Sequence, residues 1–385
     1  MTTPSVVIVT SSFPMAGDGS EAAGSFVADL VDELAKVVHV KVVAPGPDAA
    51  IQQWSQHVEV YRYAAPSRAL STLKFWRPSD LWWIARVLRG GLRATRTATH
   101  AGAVHVLALW GLPCGEWVRI AARERGLDYS VWMLGSDVWS LGRLPVLRSM
   151  LGRVIRKAAH AYADGYQLAD EARRIAGTSV RFLPSTRRID IRDPAPPRDG
   201  GAYRLLFLGR WHPNKGVDLL LDALAMLGDD DWRLIESVQI QGGGPLDAVV
   251  RELASALIAL GRPVEVGRYL TKPEAEAAIA AADWVLIPSR IESIPVIFSD
   301  AVKLGRPVVV MPVGDLPALL GRHAIGVVAD DVSSAAYAGA IQAALRQSAS
   351  SHSLALSGCA REFDLGMISA SLIKSFQAGG ATAHE

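Results

Sequence analysis

Residues 289–310, SRIESIPVIFSDAVKLGRPVVV, set two carboxylates, Glu292 and Asp300, eight positions apart among apolar neighbours. Upstream, FLGRWHPNKGVDLLLDAL puts Arg210 and Lys215 in a loop behind a strand-like run that ends at Gly209, and Gly216 opens the next helix. Two cations at the carboxyl end of a strand can neutralise a diphosphate and the charge that develops as it departs. The acids suit the two ends of such a ligand. A helix read from Ser293, with Ser293 as its cap and Pro295 in its first turn, leaves the amides from Ile294 through Val296 to Ile297 without helical partners and open to phosphate oxygens. Asp300, seven residues beyond Ser293, then lies on the same helical face roughly 10 Å along the axis, a reach that suits a ribose diol. Glu292, ahead of the cap, falls on the other side of the phosphates. Taken singly, Glu292 also reads as a solvated loop acid and Asp300 as an ordinary helix acid favoured by the dipole. The nearby QGGGP, where glycines such as Gly243 permit close backbone approach, and VGRY around Arg268 favour the ligand reading, although QGGGP is no dinucleotide fingerprint.

These residues need strands to carry them. SVVIVT, VKVVAP, AVHVLAL, YSVWML, AHAYADG and VRFLPS alternate with helix-periodic stretches in the first half, and YRLLFLG, SVQIQGGG, VEVGRY, WVLIPS and PVVVMP do so in the second. Alternation of this kind predicts α/β architecture with parallel sheets covered on both faces. The expected organisation is an N-terminal Rossmann-like domain over 1–186, a Pro-, Gly- and charge-rich linker or hinge over 187–201, a second Rossmann-like domain over 202–362, and a terminal helix within 363–385 packing back toward the first domain.

The order and spacing of LGRWHPNKG, QGGGP, VGRY and PSRIESIPVIFSDAVKLGRPVV resemble the nucleotide-sugar half of retaining glycosyltransferases of the GT-B fold, in the GT4 family (glycosyl transferases group 1) with its paired-acid motif. The resemblance implies two doubly wound Rossmann-like domains facing an interdomain cleft. It implies that Arg210 and Lys215 clamp the diphosphate and that Glu292 meets the donor sugar, these three being the catalytic set. Asp300 would hold the ribose, and Gly209, Gly243, Arg268, Ser293, Ile294, Pro295 and Val296 would complete the nucleotide-sugar site. In the first domain the glycine-containing loop places Gly24 and Ser25 near the donor, and WMLGSDVWSL places Leu134 and Asp137 on the acceptor or sugar side. Two departures stand out: the second motif acid is usually Glu and here is Asp, and the histidine many relatives carry is Leu134. A catalytically degenerate GT-B partner of another glycosyltransferase is therefore the alternative. The family's usual proposal needs no enzyme nucleophile, no cofactor and no metal. The donor is expected to be a UDP- or GDP-sugar and the acceptor a saccharide or a lipid-linked one.

Composition narrows the classes further. The 385 residues are 50% hydrophobic, enough for two domains, and the two cysteines, Cys114 and Cys359, stand far apart without a metal-ligand spacing. With no signal-like N-terminus and no long apolar run, a cytoplasmic protein is expected. Net charge is +2 but unevenly divided: residues 1–190 hold 23 Lys+Arg against 16 Asp+Glu, or +7, and the remainder 17 against 22, or −5. The segment 68–96 has seven Lys+Arg, one acid and three Trp, which reads either as a peripheral contact with the anionic inner face of a membrane or as a core-facing Trp stripe with solvated arginines. Near-neutral charge and the lack of a binding-module motif exclude nucleic acid as a partner.

Overall fold

The structure, a computed structural model, describes residues 4–15, 21–66, 73, 76–100 and 102–378. The chain forms two compact units, Met1–Ser185 with Leu365–Glu385 and Thr186–Asp364. The first holds an eight-stranded sheet of β1 (Ser5–Val9), β2 (His39–Gly46), β3 (Ala50–Ser55), β4 (Val58–Ala64), β5 (Ala103–Leu109), β6 (Tyr129–Met133), β7 (His160–Ala163) and β8 (Arg181–Phe182), in the order β3-β4-β2-β1-β5-β6-β7-β8. The second holds β9 (Tyr203–Arg210), β10 (Ile235–Gly243), β11 (Val264–Val266), β12 (Trp284–Ile287), β13 (Val308–Val310) and β14 (Gly326–Val328), in the order β11-β10-β9-β12-β13-β14. All six are parallel, and the order reverses between β9 and β12. In the first unit it reverses between β1 and β5. Such switch points open a crevice at the carboxyl ends of the strands, where ligands of open α/β sheets sit.

Burial explains which runs became strands. Every residue of β1, β12 and β13 is buried, as expected of parallel strands packed on both faces. The exception is the β3–β4 hairpin, which the apolar runs above do not include. Its β3 edge, AIQQWS, is exposed along its whole length and pairs antiparallel with β4. An edge strand facing water carries no apolar pattern, so nothing marks it in the sequence.

Segment 187–201 contains no helix or strand, yet it is not slack chain. It belongs to the second unit, where the amides of Asp190 and Ile191 donate to Glu276 at 2.9 and 3.3 Å and that of Arg198 donates to Asp283 at 3.0 Å. Glu276 and Asp283 are both buried, so acceptors in the second unit satisfy the segment's backbone.

Helix Leu365–Ala378 belongs to the first unit. Its Leu372 and Phe376 join the core built on Val6, Ile8 and Leu107. Phe376 stacks on His105 with ring centroids 4.6 Å apart, and His105 Nε2 meets Ser130 Oγ at 2.8 Å, leaving Nδ1 buried without a partner. Burial, and then the charge of His160, push the His105 pKa down to about 3. The folded ring stays neutral while the unfolded ring takes up a proton near the ordinary value of 6.5, so stability contributed above that pH is lost as pH falls from about 6.5 toward 3. His105→Phe keeps a stackable ring and removes the titration. Urea unfolding at a series of pH values is expected to show a shallower loss of stability between pH 6.5 and 5 in the variant than in the parent.

Candidate functional site

The end of β9 and the turn after it are fixed by a buried tryptophan. Trp211 is wholly inaccessible; its amide donates to Gly243 O at 2.8 Å, and its carbonyl accepts from the Leu246 amide at 3.1 Å, tying β9 to β10 and to the helix that follows. Gly209, two residues earlier, pairs with Gly242. Gly242 has φ 151°, and a Cβ there would lie 1.9 Å from Gly209 O, so no side chain fits. Arg210 leaves the strand end exposed, with no ion-pair partner among the described residues. The chain then turns through Pro213–Lys215, with the His212 ring accepting from the Asn214 amide at 3.2 Å, and reaches Gly216 at φ 69°. A Cβ on Gly216 would stand 2.0 Å from Pro288 O, so this turn lies directly on the chain leaving β12.

That contact brings Lys215 and Glu292 together: Lys215 Nζ donates to Glu292 Oε2 at 2.5 Å, with both side chains partly exposed. The neighbouring Arg290, absent from the sequence-derived set, forms a fork with Asp218 at 2.8 and 2.9 Å and also donates to Pro213 O at 2.7 Å. Burial raises the Asp218 carboxyl, but the Arg290 hydrogen bonds and charge, with the Leu219 amide, outweigh it and leave the pKa below the ordinary value. Its only sequence signal was an arginine beside a strand end.

The helix after this loop runs Val296–Lys303 with Pro295 at its cap position. Ser293 is therefore not the cap, and its buried Oγ has no hydrogen-bond partner. The reason is Pro295, whose fixed φ of −70° sets the entry and moves the first helical residue to Val296. Ile294 is buried, and the carbonyl of Ser293 accepts from the Asp315 amide at 3.3 Å. The Phe298 amide donates to Pro295 O at 2.9 Å, and a helix start of this kind leaves the amides of Val296 and Ile297 without intrahelical partners.

Asp300, read as the ribose-holding acid, points inward toward the chain before β9. It is 0% exposed, and Arg187 Nε donates to its Oδ2 at 3.0 Å while Arg187 Nη2 donates to the same oxygen. Its Oδ1 is buried without a hydrogen bond. Arg187 lies in the stretch read as a linker, so no local pattern pairs it with a residue 113 positions away.

At β10 and β11 the glycine-rich end meets an aromatic ring. Tyr269 Oη donates to Gly243 O at 2.5 Å, and a Cβ on Gly243 would reach 2.8 Å from that ring. The Arg268 amide donates to Gln241 Oε1 at 3.3 Å, while its guanidinium is engaged with Glu274 at 2.7 Å and with Tyr269 O at 2.8 Å. Hydrogen bonds from Arg268, then from the Thr271 amide and hydroxyl, bring Glu274 down to about 2.

In the N-terminal unit, Gly24 packs against the chain at Phe13 and Pro14, where a Cβ would meet Pro14 Cδ at 2.7 Å. Ser25 follows it in helix Glu21–Leu34. Part of the preceding loop, 16–20, and part of the basic segment, 67–72, 74 and 75, lie outside the described residues. Leu134, half-buried, packs on the core around Val6 and Ile8. Asp137, read as facing an acceptor, is wholly buried. Its Oδ2 accepts from the Gly111 amide at 2.6 Å and its Oδ1 from the Val138 amide at 3.1 Å. Burial raises the Asp137 carboxyl against those amide bonds. It positions the turn after β5, where Trp110 adopts φ 72°, a conformation that a bulky side chain rarely takes. No group of three or more His, Cys, Asp or Glu among the described residues is arranged to hold a metal ion.

Comparison with known proteins reads this geometry. Residues 202–347 match the model of the family described as Glycosyl transferases group 1. The matched stretch falls within the C-terminal unit, spans β9 to β14 and includes Arg210, Lys215, Glu292 and Asp300. Among curated relatives, a D-inositol 3-phosphate glycosyltransferase of Geodermatophilus obscurus is 34% identical over 173 residues, covering 43% of this chain and 38% of that protein. D-inositol 3-phosphate glycosyltransferase 1 of Catenulispora acidiphila is 32% identical over 207 residues, 49% of this chain and 50% of that protein. The chain thus spans half or less of the length of these relatives. Among solved structures, sucrose-phosphate synthase from Thermosynechococcus elongatus superposes with a TM-score of 0.73 at 17% identity, covering 99% of this chain and 100% of that one. Anabaena HepE in complex with UDP-glucose superposes with a TM-score of 0.68 at 15% identity, covering 97% and 99%. The C-terminal and N-terminal units are the two Rossmann-like halves of a GT-B fold.

The buried Arg187–Asp300 pair generates a test. Arg187→Ala strands a carboxylate in the interior and is expected to cost about 3–5 kcal/mol in urea unfolding. Adding Asp300→Leu is expected to recover most of that loss, because no charge is then left unpaired.

Proposed function

We propose that this chain is a retaining glycosyltransferase moving a sugar from a UDP- or GDP-linked donor to a saccharide or lipid-linked acceptor. The observation that carries the reading is the Lys215–Glu292 pair beside the β9–β12 switch point, with Arg210 exposed at the end of β9. Arg210 and Lys215 neutralise the donor diphosphate. Lys215 carries three N–H donors, so one can stay on Glu292 while others turn to phosphate oxygens. Glu292 then presents its second oxygen to the sugar hydroxyls. In the reaction the bond from the anomeric carbon to the diphosphate oxygen breaks, the acceptor oxygen bonds that carbon on the same face, and its proton passes to the departing diphosphate. The chain's contribution is positioning and charge stabilisation, with no covalent intermediate, cofactor or metal. Gly209, Gly243 and the start of helix Val296–Lys303 approach the nucleotide through backbone atoms, and the backbone around Arg268 lies on the side of the base. The acceptor falls to the N-terminal unit.

The reading extends to a peripheral position on the cytoplasmic face of a membrane. Helix Pro78–Ala98 and the residue pair before it expose Trp76, Leu81 and Trp82, with the Arg86 guanidinium over the Trp82 and Trp83 rings at 5.2 and 5.6 Å. Its single acid, Asp80, is buried, so the exposed face is apolar and cationic, which suits anionic lipid. Among the described residues no helix is long and apolar enough to cross a membrane.

A second reading, a GT-B partner without catalysis, is favoured by the closure of Asp300 under Arg187 and by the packing of Leu134 on the core. One set of measurements separates the two. Lys215→Ala is expected to weaken calorimetric binding of UDP or GDP by about tenfold while leaving the nucleoside unaffected; equal loss for both removes the clamp. Release of free diphosphate from a panel of donors supports the transferase, and tight binding with no release across donors and acceptors transfers the conclusion to the partner.

A further inference from the structure

The N-terminal unit contains a pocket of about 350 Å³ that involves none of the donor residues described above. It is built from the segments that follow β6 and β7. Trp139 comes from the short helix Ser136–Trp139, Arg143 from the turn Leu141–Arg143, and Arg148 from the start of helix Pro145–Lys157. Gln167, Glu171 and Arg174 come from helix Tyr166–Ala176, where spacings of four and three place them on one face. The carboxyl ends of parallel strands are where this class of sheet presents ligand-binding residues.

The charges around the pocket do not cancel. Asp170 is paired with Arg173. Glu171 holds Arg174 at 2.5 Å, and its other oxygen reaches Arg148 only at 3.3 Å. Arg148 has one further contact, to Gly142 O at 3.4 Å, so both of its bonds are at the long limit for N–H···O. Arg143 is exposed and has no ion-pair partner among the described residues. Two guanidinium forks are thus available to the oxygens of an anion, a geometry that phosphate and carboxylate both satisfy. Beside them stand a half-buried indole and the hydroxyl-accepting side chains of Glu171 and Gln167, a mixture of one apolar face and a few polar groups that fits a sugar ring. The net charge of +7 in residues 1–190 draws the same class of ligand.

We propose that this pocket binds a saccharide bearing an anionic group, phosphate or carboxylate, with Arg143 and Arg148 on the anion and Trp139 and Glu171 on the ring. As the subsite of an acceptor, this rests on the transferase reading; as a binding site it does not. Its Val138 and Trp139 follow Asp137 in the same short helix.

The test is calorimetric titration of the whole chain with a hexose 6-phosphate, a hexuronate, the neutral hexose and inorganic phosphate, with UDP titrated in parallel. One of the two anionic sugars is expected to bind at least about tenfold more tightly than the neutral hexose, and which one binds distinguishes phosphate from carboxylate. Arg143→Ala and Arg148→Ala are each expected to weaken it by about tenfold. Arg143→Lys is expected to restore part of the affinity, and UDP binding is expected to stay unchanged in all three variants. Neutral hexose binding as tightly as the anionic sugars, inorganic phosphate binding as tightly as the sugar phosphate, or anionic-sugar affinity unchanged in both alanine variants each overturns the proposal. UDP binding and turnover without anionic-sugar binding reject this pocket and leave the transferase standing. Anionic-sugar binding without UDP binding does the reverse.

Discussion

The contact between the turn after β9 and the chain leaving β12 governs the C-terminal unit's strand ends. Gly216 lies against Pro288 O so closely that a methyl group could not be accommodated, and the Arg290 fork to Asp218 and Pro213 holds the two segments together from the other side. The Lys215–Glu292 pair is a consequence of this arrangement, since the two residues are 77 positions apart and meet only because the backbones carrying them touch. Sheet order sets the same requirement: β9 and β12 are neighbours whose chains depart in opposite directions, and their ends have no further strand to satisfy them.

Magnitudes separate the two acids that first draw attention in the sequence. Lys215 and Glu292 are partly exposed, and such a pair is worth only about 0–1 kcal/mol. A charge-assisted hydrogen bond to an anion is stronger than such a pair. Asp300 and Arg187 are nearly or wholly buried, where removing one partner costs about 3–5 kcal/mol. The first acid is thus held ready for exchange, while the second joins segment 186–201 to helix Val296–Lys303, an attachment strengthened by Lys303 Nζ donating to Thr186 Oγ1 at 2.6 Å. Replacing the customary glutamate by the shorter aspartate is in keeping with a carboxylate that reaches inward.

Much of the fold was legible because its central strands are continuous apolar runs. β1, β5, β9, β12 and β13 could be read directly, whereas β3 could not, being exposed and polar, and β14, opening on a glycine and only half-buried, carries no buried apolar run. At the candidate site, Arg210, Lys215 and Gly243 stood out in the sequence as two cations and a glycine at strand ends. The start of the helix at 296 rather than 293 depended on a competition between Ser293 and Pro295 that propensity alone does not decide. Arg187, Arg290 and Glu274 were invisible for a different reason. Each acts through a partner brought near by tertiary structure, and a charge in a loop reads the same whether it is solvated or paired.

Pairing also determines what an incoming anion meets first. Lys215 is held by Glu292, Arg290 by Asp218 and Arg268 by Glu274, whereas Arg210 has no acid partner among the described residues. An anion reaching these strand ends displaces nothing at Arg210 and has only the weak Glu292 bond to loosen at Lys215. Arg290 and Arg268 keep their partners and with them the positions of the loops. In the proposed reading Lys215 turns its remaining N–H donors to the ligand's phosphates and the free oxygen of Glu292 meets its hydroxyls, so both roles rest on one pair. Had Glu292 been free and Lys215 unpaired, the same residues would have been present, but the acid would have repelled the phosphates before the lysine could hold them.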